Sequence, residues 1–481
     1  MEVEKVDYDP FRFTVAELND RLRNCSVEVR VEAASYLADL AYMRVGEMSS
    51  VKLLNDLMDD PDLPDSAFPI MAIGTLASMR IGDISSLPFL EKAVLEGNSR
   101  VRISSIQALS SLASDLDIKQ ESTLAFLNNA LSDGDPLVLE AAAEAIGVMA
   151  LGQLADHSSV WSLNPLLMHP DANVRLSAVS TLTRLAEMNI GDESSVAGLN
   201  VLLKDPKEDV REAAAEAECQ LASMKIGKLS SIELLNDLLM DPDGGVRSSA
   251  VMAVDELAKI HIGNASSLGP VKALMDDDNS GIRDLAGICL FSLANYLDVG
   301  DESVIGRLNI LLSSEDRSTR WVTAFTLREM SRLRMGSRSS ILPLEILLDD
   351  KDGWVAEAAA SAISRLAQHL KIGEITSVRW LNKRLEKDWD GCYYSAIALG
   401  SLAGMGLGEK DSIEPLNKML RSAKQECVLM AVLALGNLTK IGIGNISSLE
   451  PLHAVLGTHR NEQCGFFAEN ALRDLAMMGI M

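Results

Sequence analysis

The stretch from Ser230 to Gly263, SSIELLNDLLMDPDGGVRSSAVMAVDELAKIHIG, decides the fold. Leu234, Leu235, Leu238 and Leu239 recur at spacings of three and four, which gathers them on one stripe of a first helix. Asp241-Pro242-Asp243-Gly244-Gly245 is a turn. A second helix then carries Val246, Ala250, Ala253, Val254, Leu257 and Ala258 on one face. Gly263 is expected to close it in the left-handed conformation, which glycine adopts without steric penalty.

Working outward, the same phrase returns along the chain. The residue after the central Leu of each first helix falls at 19, 55, 91, 128, 164, 200, 236, 272, 309, 345, 382, 417 and 453, steps of 35 to 37 residues. Asn fills nine of these positions: Asn19, Asn55, Asn128, Asn164, Asn200, Asn236, Asn309, Asn382 and Asn417. Arg recurs eleven residues later, at Arg30, Arg102, Arg175, Arg211, Arg247, Arg283 and Arg320. Closing glycines stand at positions such as Gly46, Gly82, Gly191, Gly336, Gly373, Gly408 and Gly444. A register kept this long predicts an all-α protein, a right-handed α-solenoid (superhelix) of about 13 helix pairs. Residues 1–481 are expected to form one array: a lead-in over 1–13, regular repeats 1–9 over 14–340, and diverged repeats 10–13 over 341–481.

Composition agrees. Hydrophobic residues make up 47% of the chain and aromatics only 4%, a mixture suited to closely packed helices rather than to a β-sandwich. A formal charge of −25 opposes nonspecific binding to a nucleic-acid backbone. No apolar run is long enough to cross a bilayer, and MEVEKVDYDPFRF lacks the basic and apolar regions of a secretory signal. The six cysteines (Cys25, Cys219, Cys289, Cys392, Cys427, Cys464) form no C-x-x-C pair and read as reduced thiols, which points to the cytoplasm.

Ser or Asp precedes nearly every first helix, as at Ser85-Ser86, Ser230-Ser231 and Ser447-Ser448, where a hydroxyl is expected to cap free N–H groups. Glu233 and Glu450 follow at capping-box spacing. Pro88, Pro343, Pro415 and Pro451 fall in first turns, where a missing donor does no harm. Pro69 and Pro165 look internal to their helices and are expected to kink or delay them. A turn carboxylate such as Asp205 or Asp241 lies near each recurring Arg, so stacking is expected to join one repeat's Arg to the next repeat's Asp.

The D-P-D-x-x-V-R-x-x-A-x-x-A-L pattern resembles HEAT repeats, particularly the bilin-lyase-type HEAT-like class, from about Thr14 to Met481. The resemblance implies fold and leaves activity open, because such solenoids serve many functions. It implies a non-enzymatic protein-binding scaffold or adaptor that uses its groove, with a tetrapyrrole lyase or chromophore-binding protein as the alternative. HEAT-like metal hydroxylases hold iron through His-Glu pairs, but His157, His169, His261, His369, His453 and His459 are each followed by another residue. No phosphate-binding G-x-x-x-x-G-K-[ST], nucleophile elbow or H-x-x-x-H occurs. The reading therefore assigns no catalytic residue, cofactor or metal.

The Arg pattern stops after Arg320; Ala356, Tyr393, Val428 and Cys464 replace it. Four of five tryptophans (Trp321, Trp354, Trp380, Trp389) lie in the adjoining region, which reads as a docking site or a diverged cap. Cys392, Cys427 and Cys464 recur in register near His453, but two of them stand where earlier repeats carry core valines, so core thiols are expected rather than a metal site.

In repeat 9, Trp321, Phe325, Arg328 and Arg332 are spaced to share one face of the second helix. Repeat 8 adds Asp284, Ile288, Phe291 and Asn295. Ile288, Phe291, Trp321, Phe325, Arg328 and Arg332 are therefore the candidate contact residues for a protein partner. Six arginines against one Glu between 317 and 338 predict a basic end, and Glu140, Glu144, Glu212 and Glu216 an acidic middle. No homo-oligomer is indicated: Leu429, Leu433, Phe466 and Phe467 serve an end-to-end contact and a buried cap equally.

Overall fold

The computed structural model describes residues 12–63, 66–115, 121–297, 302–387, 393–457 and 462–480. Among them helices alternate as thirteen pairs, from Val15–Asn24 with Val27–Tyr42 to Leu449–Gly457 with Glu462–Met477. The chain forms two compact units, residues 1–235 and 236–481. Within each unit, the second helix of a repeat packs on its own first helix and on the second helix of the next repeat. No helix among the described residues is long and apolar enough to cross a membrane.

The apolar stripes read from the sequence are the core. Leu235, Leu238, Leu239, Val246, Ala250, Ala253, Val254, Leu257 and Ala258 are all buried. Small alanines on the second helices let neighbouring layers approach closely, and leucines from the first helices fill the space beside them.

The polar residues of the repeat join its layers. Arg175 holds Asp205 of the next repeat through Nε at 2.7 Å and Nη2 at 3.0 Å, while Nη1 donates to the carbonyls of His169 and Pro170 in its own turn. Arg247 and Asp277, and Arg320 and Asp350, repeat this arrangement. One guanidinium thus satisfies a carboxylate and the end of the preceding helix together. Arg30, Arg102, Arg175, Arg247 and Arg320 each reach a carboxylate of the following repeat.

The asparagines form a second ladder. Asn55, Asn128, Asn164, Asn200, Asn309 and Asn417 each donate through Nδ2 to a Ser of the next repeat, at 2.8–3.2 Å. Those serines are the ones expected to cap helices. Capping falls instead to the residue two places earlier: Asp83, Asp156, Asp192, Asn264 and Asn445 accept from the Ser backbone N–H. A full capping box forms at Thr14 and Glu17.

The closing glycines also act differently from expectation. The left-handed position lies two residues before them and holds Arg44, Arg80, Asn189, Lys225, His261, Arg334 and Lys371, with φ between 59° and 67°. Glycine follows for want of space. A Cβ on Gly46 would lie 2.3 Å from Leu76 Cδ2, and one on Gly373 would lie 2.5 Å from Leu402 Cδ2. Gly263 is roomier, with nothing nearer than 3.6 Å. Pro69 lies in the first turn of Phe68–Ser78, and at Pro165 the helix His157–Leu163 gives way to the 3-10 segment Asn164–Met168.

Candidate functional site

The helix Arg317–Arg332 begins where Asp316 accepts from the Thr319 N–H at 2.7 Å. That start fixes the rotation of the helix, so its apolar stripe, including Ala324, Leu327 and Met330, goes into the core. Trp321, Phe325, Arg328 and Arg332 are left on the opposite face. Trp321 and Phe325 stack with centroids 5.6 Å apart, and the Arg328 guanidinium sits 4.3 Å from the Phe325 ring centre. Ile288 and Trp321 are exposed at 38% and 41%, whereas Phe291 and Phe325 are half-buried. A Cβ on Gly287 would make only an ordinary contact with Val322 Cγ1 at 3.6 Å, so the approach of the two second helices does not depend on glycine there. Asp284, beside this face, accepts from the Ser318 hydroxyl, and burial raises its carboxyl pKa above the usual range.

The structure corrects the electrostatics of this end. Glu329 lies between the two groove arginines, accepting from Arg328 Nε at 2.8 Å and pairing with Arg332 Nε at 3.3 Å. Arg317 pairs with Asp352, Arg320 with Asp350, and Arg338 with Glu374. Carboxylates distant in sequence thus reduce the positive charge of this arginine cluster without cancelling it. The face is aromatic and aliphatic, and its two arginines share one carboxylate, Glu329.

The tryptophans do not form one patch. Trp354 is highly exposed at the start of Gly353–Arg365, and Trp380 belongs to the first helix Ile375–Lys387, where the Lys383 ammonium lies 4.8 Å from its ring. Trp389, Cys392 and His459 lie outside the described residues. Cys427 and Cys464 are buried, as a core role requires. In the first unit, Glu140 and Glu212 are half-buried and Glu144 and Glu216 exposed; burial, reinforced by Asp171, raises the Glu140 pKa.

Past repeat 9 the second-helix face changes character. Gln368, 36 residues after Arg332, donates to Ser401 Oγ at 2.8 Å, and Ser364 and Ser401 hydroxyls lie 2.9 Å apart. Asn437 donates to the Gly400 carbonyl at 3.0 Å. Sequence reading missed this network, because isolated Ser, Gln and Asn residues carry no periodic signal.

Comparison with known proteins agrees with this architecture. The family model for HEAT repeats matches residues 15–110. A crystal structure of importin beta is similar over 96% of this chain and 68% of its own, with a TM-score of 0.51 and 13% identity. Kap95p, in a structure concerning its binding to RanGDP, is similar over 98% of this chain and 69% of its own, at a TM-score of 0.49 and 14% identity. An engineered protein is similar over 90% of this chain and 99% of its own, at 0.49 and 20%. No curated protein sequence matches. The repeat register along the chain, the match over its first repeats and the fold shared with importin beta make this chain a HEAT-repeat protein.

Proposed function

We propose that this protein is a non-enzymatic cytoplasmic scaffold that captures a protein partner on the second-helix face of repeats 8 and 9. The observation that carries the proposal is the exposed, pre-stacked Trp321–Phe325–Arg328 column beside Ile288. Aromatic side chains held in place before binding lose little freedom on contact, and together with Arg they dominate the energetics of protein interfaces. HEAT-type solenoids expose such faces repeatedly without closing an active-site cavity. Glu329 offsets one of the two charges of Arg328 and Arg332, so apolar contact would supply most of the affinity and the residual positive charge would orient the partner.

The test is affinity capture from the native extract at low and high salt, comparing the parent with Trp321→Ala combined with Arg328→Glu. A stoichiometric protein retained by the parent at both salts and lost by the variant, with helix content and melting temperature unchanged, is the expected result. Retention of that protein by a folded variant would refute the assignment.

A further inference from the structure

The helix Gly353–Arg365 continues through the π-helical turn Leu366–Leu370, the one such turn among the described residues. Single π turns inside α-helices are rare and often mark functional sites. Here the Ile372 N–H reaches back six residues to the Leu366 carbonyl, whereas Met335 in the preceding repeat reaches back five to Met330. The added residue matches the 37-residue step from Gly336 to Gly373.

The turn ends on Lys371, held at φ 59°. At the corresponding left-handed position the following repeats place Gly406 and Gly442, which reach it without steric strain. A cation at this position is common in the earlier repeats, at Arg44, Arg80, Lys225 and Arg334, and has a physical reason. The negative end of a helix favours a cation. Lys371 is singled out by what it borders.

Lys371 stands at the rim of a depression of about 320 Å³ floored by Ile397, Gly400, Leu433 and Ala434, with Gln368, Ser401 and Asn437 around it. No carboxylate lines this depression. Glu374 and Glu409, acidic residues near it in sequence, are engaged by Arg338 and Arg379. Arg365, on the same helix, is held by Gln368 Oε1 at 3.3 Å and lies 3.5 Å from His369 Nε2. An apolar floor, a fixed amide and hydroxyl network and the Lys371 ammonium therefore adjoin, with Arg365 behind Gln368, in a chain of net charge −25.

We infer that this depression in repeats 10–12 binds an acidic side chain of an extended peptide segment, whose apolar neighbours rest on Ile397 and Leu433. The inference rests on the scaffold reading and extends its groove by one to two layers. At about 10 Å per layer, an extended segment covers that distance in roughly three to six residues. A nucleic acid is a poorer match, since one or two cations per layer fall well short of a phosphate backbone's charge density.

The test uses the full chain and two rhodamine-labelled peptides, Gly-Trp-Gly-Ser-Gly-Glu-Glu-Gly and the same sequence with Gln-Gln, read by fluorescence anisotropy. The parent is expected to prefer the Glu peptide by about tenfold. Lys371→Gly relieves the backbone strain, so it should melt no lower than the parent yet bind the Glu peptide about fivefold more weakly. Lys418→Glu, a charge reversal on a first helix, should change binding by less than about twofold. Equal affinity for the two peptides, no binding by the parent, or unchanged binding by Lys371→Gly overturns the inference, and so does displacement by millimolar inorganic phosphate, which would mark a small-anion site. Trp321→Ala separates the two readings: loss there with Lys371→Gly unaffected refutes only the depression, and the reverse pattern refutes only the aromatic face.

Discussion

The junction between repeats 5 and 6 and the junction between repeats 10 and 11 achieve the same stacking with different chemistry. In the first, Arg175 clasps Asp205, Asn164 bridges Ser194 and Ser195, and Gly191 gives way to Leu221. In the second, Ala356 replaces the arginine and is fully buried, and Glu345 replaces the asparagine. Glu345 accepts from Thr376 Oγ1 at 2.7 Å and Ser377 Oγ at 2.6 Å, while Glu357 accepts from the Tyr394 N–H at 2.8 Å and from Ser395. Gly373 still gives way, now to Leu402. Close approach of the second helices is thus the fixed requirement, and the polar bridges across it are interchangeable. A region released from the arginine ladder can alter its exposed face, and repeats 10–12 carry the π turn and the depression.

The largest expected effect comes from breaking the older bridge. Arg175 and Asp205 are 12% and 4% exposed at their side chains, so Arg175→Ala leaves a nearly buried carboxylate and two turn carbonyls without their donor. A loss of about 4 kcal/mol is expected, read as hydrogen-exchange deprotection centred on residues 172–208. A loss below about 1 kcal/mol would mean the ladder is dispensable in the regular repeats as well.

Glu218 sharpens the comparison, because it is a buried carboxylate in the regular region without the hydroxyl pair that serves Glu345. Burial pushes its pKa up to about 7, with the Ser231 hydroxyl and Lys228 offsetting only part of this. An acid whose folded pKa is raised makes the folded state bind the extra proton. Its destabilisation is therefore absent below the unfolded value of 4.5, grows between there and about 7, and stays constant above. Glu218→Gln should accordingly stabilise by about 3 kcal/mol at pH 8 and by almost nothing at pH 4.5, as measured by denaturant unfolding. A pH-independent difference would show that the ionised form is not what burial penalises.

The smallest effect concerns the newer bridge. Glu345→Ala removes the acceptor of two hydroxyls and should cost about 2 kcal/mol, whereas Glu345→Asn restores the residue of the regular repeats and should recover all but about 0.5. If Asn fails where Ala fails, the two bridges are not interchangeable and the diverged repeats pack by rules of their own.

Most of the fold was legible because each repeat states the same local instruction. The leucine and alanine stripes, the turn and the Arg–Asp partnership all follow from spacing. The errors came where two explanations fit one residue. Serines before a helix suit capping, and only the layer stacked on them shows that asparagine uses them. Glycine after a helix suits a left-handed turn, and only the facing leucine shows that the reason is space. At the candidate site, the shared face of Trp321, Phe325, Arg328 and Arg332 was readable from periodicity. The pairing of the neighbouring Arg317, Arg320 and Arg338 was less so, because Asp352, Asp350 and Glu374 come from other turns and helices of the chain.

By itself the sequence determined that this chain is a helical repeat array with a continuous apolar seam, since periodicity within a helix and recurrence between helices are local properties. The tertiary structure decided which polar groups meet, which charges stay uncompensated and where the backbone departs from the α-helix. Those outcomes depend on residues some thirty positions apart coming within about 3 Å, a distance set by packing rather than by spacing along the chain.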